Sequence, residues 1–281
     1  MGHGPGPVPL RGKSLNPGLN RIARRFDRAD GSYDSHALAQ TSLADALIGL
    51  YRRDAPAHKI LEMGCGTGLF TRRLLARFPG SSLWVTDASP RMLATAETRL
   101  SAPGAAGNAR LHFRLLDAQC PAWPADEPGG PFDLVASNAL AQWFPDIESH
   151  IRGCAALLRR GGSLLIGAFL DDNLKELRAS LEAISARPLK TGHGVEEIQT
   201  AGENAGLVLK GWRGLDERLE YADTAAFLGA LAALGATGGP STAPLSGADL
   251  RRLKRTYQER YRYGNGVAAT WSAYAAWWIK P

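Results

Sequence analysis

The sequence predicts an α/β protein, a mostly parallel sheet whose strands alternate with helices, on three observations. Short apolar runs recur along the middle of the chain, each followed by a segment with helical spacing of its apolar residues. The first run ends in three glycines at alternate positions, Gly64, Gly66 and Gly68, directly before such a helix. Polar side chains stand near the ends of successive runs, at Glu62, Asp87, Asp117 and Asn138. An open parallel sheet gathers its ligands beyond those strand ends.

Taken in order, residues 1–19 are rich in Gly and Pro and form a disordered lead without a signal-peptide core. Residues 20–56 hold leading helices, with Phe26-Asp27-Arg28-Ala29, then Tyr33 and His36, then an apolar stripe at Leu38, Leu43, Leu47 and Leu50. A core follows over residues 57–223. Its first strand runs from Lys59 and leads into the glycine turn, and a helix begins at Leu69. The second strand is Ser82–Asp87, followed by a helix opening at Ser89-Pro90, with Pro90 in the first turn where its missing N–H costs nothing. The third is His112–Leu116, ending at Asp117-Ala118, and the loop from Gln119 to Pro131 is marked by prolines and glycines. The fourth is Phe132–Asn138, followed by a helix over Asp146–Leu158 that Gly161-Gly162 would end. The fifth is Ser163–Phe169. Helices are expected at Asn173–Ala186 and Val195–Ala205, and a sixth strand at Leu207–Trp212. Residues 224–265 read as a helical insertion, Thr224–Leu234 and a basic helix from Ala248 to about Tyr261, and residues 266–281 as the final, seventh strand of the core.

The glycine turn separates three kinds of ligand. A P-loop would end in Gly-Lys-Ser/Thr, whereas here Gly66-Thr67-Gly68-Leu69 stands. A dinucleotide fingerprint spaces its glycines as Gly-x-Gly-x-x-Gly, and these fall as Gly-x-Gly-x-Gly. The remaining pattern, Glu62-x-Gly64-x-Gly66-x-Gly68, resembles the first motif of the class I S-adenosylmethionine-dependent methyltransferases, which have a Rossmann-like sheet of seven strands. About twenty residues on, Asp87 ends the second strand where the two ribose hydroxyls of an adenosyl cofactor would want a bidentate acceptor. The resemblance implies S-adenosylmethionine as cofactor, with S-adenosylhomocysteine as its product. It implies binding by Glu62, Gly64, Cys65, Gly66 and Gly68 of the loop, by Asp87, Ala88 and Met92, by Asp117 and Ala118 at the adenine edge, and by Asn138.

Narrower stretches resemble one family within that class, the malonyl-thioester O-methyltransferases that open the pimelate branch of biotin synthesis. They are Phe26–Ala29 with Tyr33 and His36, Ser137-Asn138-Ala139-Leu140-Ala141-Gln142-Trp143, Asn173–Arg178 and Leu234–Thr237. The resemblance spans Arg21 to Trp278, with Thr270-Trp271 standing where the family has Thr-Tyr and with an extra proline-rich lead. It implies methyl transfer to the free carboxylate of a malonyl group on acyl carrier protein or coenzyme A. The leading helices and the insertion would form a lid. Tyr33, His36, Gln142 and Trp143 become candidates for orienting the carboxylate and excluding water, with no general base required because a carboxylate is already a nucleophile. A small-molecule carboxyl methyltransferase of the trans-aconitate type has the same cofactor half. An assembly factor or hydroxylase could also use the scaffold.

Composition narrows the partners. The 281 residues carry a net charge of +6, with basic residues concentrated early and again at Arg251, Arg252, Lys254, Arg255, Arg260 and Arg262. Acyl carrier proteins are acidic, so Arg251, Arg252, Lys254 and Arg255 form a candidate docking patch. The Asn/Asp-Pro-Pro-Tyr/Phe motif of nucleic-acid amino methylases is missing after the fourth strand, which argues against a nucleic-acid substrate. Cys65, Cys120 and Cys154 form no CxxC pair, which argues against a zinc site or a disulfide framework and fits a reducing, cytoplasmic setting. No uninterrupted apolar run approaches membrane-spanning length.

Overall fold

The computed structural model describes residues 36–52, 56–102, 104, 107–119, 121–124, 127–184, 192–235 and 245–281. The expected lead, Phe26 and Tyr33 lie outside them. The sheet contains β1 (Lys59–Met63), β2 (Ser82–Asp87), β3 (Arg110–Leu115), β4 (Phe132–Asn138), β5 (Leu158–Phe169), β6 (Val208–Tyr221), β7 (Arg262–Tyr263) and β8 (Gly266–Ile279). Its order is β3-β2-β1-β4-β5-β8-β6, with the two-residue β7 paired to β8. The first five strands are parallel and β8 enters antiparallel between β5 and β6.

Helices cover both faces, so the central strands bury both sets of side chains. On one face lie α1 (Leu38–Leu50), α2 (Leu69–Arg77) and α3 (Pro90–Leu100), whose Leu43, Leu47, Phe70, Leu74, Leu93 and Leu100 share a core with Ile60, Val85, Ala136 and Leu165. On the other lie α4 (Ile147–Leu157) and α6 (Val195–Asn204), packing Ile151, Cys154 and Ile198 onto Leu61, Val135 and Ile166. The insertion forms α7 (Thr224–Ala233) and α8 (Gly247–Arg260), whose Phe227, Leu231, Leu253 and Tyr257 join α5 (Lys175–Ala183) on the α1 side of β8. Local chemistry fixes several helix starts. Ser89 Oγ accepts the Met92 N–H at 3.0 Å with Pro90 in the first turn, and Asp146 caps α4 through the Ser149 N–H at 2.9 Å.

Several boundaries differ from expectation. Gly161-Gly162 does not end α4. The helix stops at Leu157 and the glycines lie within β5, where the Gly161 N–H donates to the Lys280 carbonyl and the Lys280 N–H to the Gly162 carbonyl. A Cβ on Gly162 would sit 2.8 Å from the Arg159 carbonyl oxygen, so the glycine serves close backbone approach. The sixth strand runs on to Tyr221 because half-buried Leu215, Leu219 and Tyr221 alternate with exposed polar residues along this sheet edge. β3 begins at Arg110, two residues early, and α5 begins at Lys175 because Asn173 and Leu174 serve the sheet instead.

Candidate active site

The ends of β1, β2 and β4 open into one cavity of about 870 Å³, counting the space at its mouth. The glycine loop forms its floor. Cys65 N–H donates to the Thr86 carbonyl at 2.9 Å, and Gly66 N–H donates to Asp87 Oδ2 at 2.9 Å, so the loop is strapped to the end of the neighbouring strand. Gly64, Gly66 and Gly68 have φ of 70°, 53° and 88°, a left-handed run that side-chain-bearing residues resist. A Cβ on Gly66 would meet nothing within 4 Å, whereas one on Gly64 would come 2.8 Å from Leu140 Cδ1. Gly66 therefore keeps the backbone open to the cavity, and Gly64 lets β4's loop close over it. Asp87 Oδ1 also accepts the Ser89 N–H at 2.8 Å, so one carboxylate ties the glycine loop to the start of α3.

Beyond β4 the chain is held in an unusual shape. Ala139 has φ of 52° without being glycine, and its N–H donates to the Gly167 carbonyl at 2.8 Å. Gln142 supports that bend, its Nε2 donating to the Ala139 carbonyl at 2.7 Å while its Oε1 accepts the Phe169 N–H at 3.4 Å. Two histidines fix the cavity wall from behind. His150 Nδ1 lies 2.6 Å from the Ala118 carbonyl, which can only accept, so that nitrogen carries the proton. Burial pulls His150 down to about 4, so the ring is neutral near pH 7. His193 Nε2 donates to the Phe144 carbonyl at 2.8 Å, with Nδ1 facing Glu197 Oε1 at 2.8 Å.

The electrostatics are dominated by Glu62. It is 1% exposed and neither carboxyl oxygen has a hydrogen-bond partner. Burial pushes it up to about 8; the Thr71 hydroxyl, close by but short of a hydrogen bond, opposes this, and the Asp87 charge adds to it. Burial also pushes the Cys65 thiol well up, so it is no nucleophile at neutral pH.

Of the residues expected at the site, Gly64, Cys65, Gly66, Asp87, Ala88, Met92, Ala118, Asn138 and Trp143 line the cavity. Glu62 lies beneath the loop, and Gly68 starts α2, where a Cβ would come 3.3 Å from Leu100 Cδ1. Asp117 turns back on its own chain, accepting the Gln119 N–H at 2.9 Å. Gln142 and the half-buried His36 are not among the lining residues, and Tyr33 lies outside the described residues. The wall also contains Leu140, within the Ser137–Trp143 stretch expected to face the methyl group, and Gln40 and Phe144, which sequence reasoning did not single out. Gln40 carried a signal. It stands three and seven residues before Leu43 and Leu47, a polar side chain in the apolar stripe of α1. On α8, Arg251, Arg252 and Arg255 are exposed and Lys254 half-exposed, and among the described residues none of the four is in an ion pair.

A family described as a methyltransferase domain matches residues 61–164. A malonyl-[acyl-carrier protein] O-methyltransferase of Paenibacillus sp. (strain JDR-2) is 31% identical over 276 residues, covering 92% of this chain and 97% of its own. The biotin biosynthesis bifunctional protein BioCD of Bordetella avium (strain 197N) is 32% identical over 92% of this chain and 52% of its own length. Two solved structures share the fold. The YcgJ protein from Bacillus subtilis has a TM-score of 0.60 at 15% identity, covering 85% of this chain and 98% of its own. A geranyl diphosphate methyltransferase in complex with SAM has a TM-score of 0.52 at 14% identity, covering 90% and 92%. Strand order, glycine loop and similarity along nearly the full length agree: the chain is a methyltransferase and belongs to the malonyl-[acyl-carrier protein] O-methyltransferase family.

Proposed function

We propose that the protein transfers the methyl group of S-adenosylmethionine to the free carboxylate of a malonyl group held as a thioester on acyl carrier protein, giving the methyl ester that starts pimeloyl and biotin synthesis. The observation that carries this reading is the extent of the similarity. It covers 97% of the Paenibacillus methyltransferase, so it reaches well beyond the domain at residues 61–164 that methyltransferases of many substrates share.

The cavity residues fit the cofactor. The open backbone at Gly66 admits close approach, Asp87 offers a carboxylate at the wall, and unpartnered buried oxygens of Gln40 and Asn138 call for donors. When bound, S-adenosylmethionine supplies an electrophilic methyl on a sulfonium centre. Loop residues Gly64, Cys65 and Gly66 would hold its amino-acid end, with Asp87, Ala88 and Met92 along the adenosine and Asp117 and Ala118 at the adenine edge. Glu62 and Gly68 support the loop.

This chain's own contribution is positioning and drying. Leu140, Trp143 and Phe144 present an apolar wall that strips water from an incoming carboxylate, raising its reactivity without a base. Gln142 acts by holding the Ala139 bend that sets Trp143 in place. Gln40 brings α1 of the leading segment to the cavity wall, and none of the described residues of the 224–265 insertion lines the cavity. The exposed cations of α8 suit an acidic carrier protein, steering its approach.

The test is label transfer from methyl-labelled S-adenosylmethionine to malonyl-carrier protein, malonyl-coenzyme A, malonate and trans-aconitate in parallel. Both thioesters should accept label. Arg251→Glu with Arg255→Glu should raise KM about tenfold for the protein-borne thioester alone, the effect shrinking at high salt. Label on a free acid only would overturn the assignment.

A further inference from the structure

β6 ends the sheet on one side, and among the described residues it pairs with β8 alone. Its fourteen residues give an open edge roughly 45 Å long at the usual rise per residue. No hydrogen bond joins the backbone groups that point away from β8 to any other described element. An edge of that kind recruits another strand unless proline, a bulge or charge blunts it. β6 has no proline, and its one register shift falls between Leu209 and Gly211, close to one end. Trp212 is 55% exposed and Val208 45%, so the edge also shows apolar surface.

Charge is present, and its order decides what it does. Before Leu215 the charged residues of β6 are Lys210 and Arg213; after it come Asp216, Glu217 and Glu220, with Arg218 the one cation among them. A strand whose charge reverses along its length is complementary to its own antiparallel copy. Opposed side chains in an antiparallel ladder share a face, so a two-fold axis between two copies opposes odd residues to odd and even to even. Centred on Leu215, the pairing sets Arg213 against Glu217, Trp212 against Arg218 and Lys210 near Glu220, each twice by symmetry. Trp212 and Arg218 stand on one face, beside Tyr274 and Tyr263, with Arg213, Leu215 and Glu217 on the other. Centring on Arg213, Asp216 or Glu217 would oppose that charge to itself, and centring on Gly214 would oppose Lys210 to Arg218. Parallel pairing in register would stack every charge on its like. Among the described residues neither Arg213 nor Glu217 is in an ion pair.

We propose that β6 pairs antiparallel with β6 of a second copy of this chain, centred on Leu215, so that one sheet runs through both copies of a homodimer. The occupant is a second copy because the complement of β6 is its own reverse; a foreign strand would have to supply the same order of charges independently. Such a contact is isologous, and it closes at two copies because each has one such edge. The cavity opens at the ends of β1, β2 and β4, with β5 and β8 between it and β6, so the pairing uses no cavity residue.

Sedimentation equilibrium of the full chain across the micromolar range tests this. The wild type should reach twice the chain mass as concentration rises. Arg213→Glu and Glu217→Arg should each raise the dimer's dissociation constant at least tenfold, because each change sets like charges opposite one another at two symmetry-related places. Combining the two changes exchanges the partners of the same ion pair and should restore the wild-type constant. That recovery separates a lost contact from a damaged fold, since the combined variant carries both substitutions. A wild type that stays monomeric would overturn the proposal. So would a dimer indifferent to either single reversal, or a combined variant no tighter than the single ones.

Discussion

Asp87 holds two backbone amides, those of Gly66 and Ser89, and thereby fixes the glycine loop against the start of α3. Asp87→Asn replaces one acceptor oxygen by a donor that must face an N–H. We expect a loss of roughly 1–3 kcal/mol in unfolding free energy and at least tenfold weaker cofactor binding, read by denaturant titration and calorimetry. The sequence marked Asp87 as a strand-end carboxylate, which could hold ribose hydroxyls or cap turns, and the structure shows it accepting the backbone N–H groups of the glycine loop and of α3. Gln142 was legible as important but not in its role. Its partners, the Ala139 carbonyl and the Phe169 N–H, are backbone groups that no residue pattern advertises.

The segment between β5 and α5 completes the sheet with side chains. β5 pairs with β8 only as far as Phe169 opposite Ala273, yet β8 continues to Gly266. Beyond that point Asn173 Oδ1 accepts the Ser272 N–H at 3.0 Å, and Glu176 accepts the Thr270 N–H at 3.0 Å and its hydroxyl at 2.5 Å. The Leu170 and Leu174 N–H groups donate to the Ser272 and Thr270 carbonyls at 2.9 Å. This stretch therefore stands in for a missing length of strand, and Leu174 takes φ of 56° to do so. Glu176→Ala would strand a buried N–H and a hydroxyl, and we expect it to cost roughly 2–4 kcal/mol in thermal or denaturant unfolding. Glu176→Gln should cost less than half as much. The helical spacing after Asn173 was readable, but the pairing with residues more than ninety positions away was not.

Two buried titratable groups set opposing pH dependences for the ligand-free molecule. Glu62 is raised from 4.5 to about 8, so the stability it leaves intact below pH 4.5 is lost as pH rises to about 8. His150 is lowered from 6.5 to about 4, so the stability present above pH 6.5 is lost as pH falls to about 4. The two slopes oppose each other between 4.5 and 6.5, and above 6.5 that of Glu62 acts alone. Stability should therefore fall by about 2 kcal/mol between pH 6.5 and 8. Glu62→Gln should abolish that fall in pH-dependent denaturant unfolding. An unchanged slope in the variant would assign the dependence elsewhere.

Periodicity and turn chemistry are local, and they were enough to order the strands and helices and locate the glycine turn, while the resemblance to the class I methyltransferases supplied most of the cavity residues. Gly64, Gly66 and Asp87 follow from the residues on either side of them, and Asn138 from the resemblance. What depended on distant segments meeting was out of reach. The length of β6 is set by pairing along β8, the passage of β5 through Gly161 and Gly162 by contact with Lys280, and the polar pocket under α1 by Gln40 descending onto Asn138. A side chain's chemistry can be read one residue at a time, but whether a buried oxygen finds a donor depends on every element that packs against it.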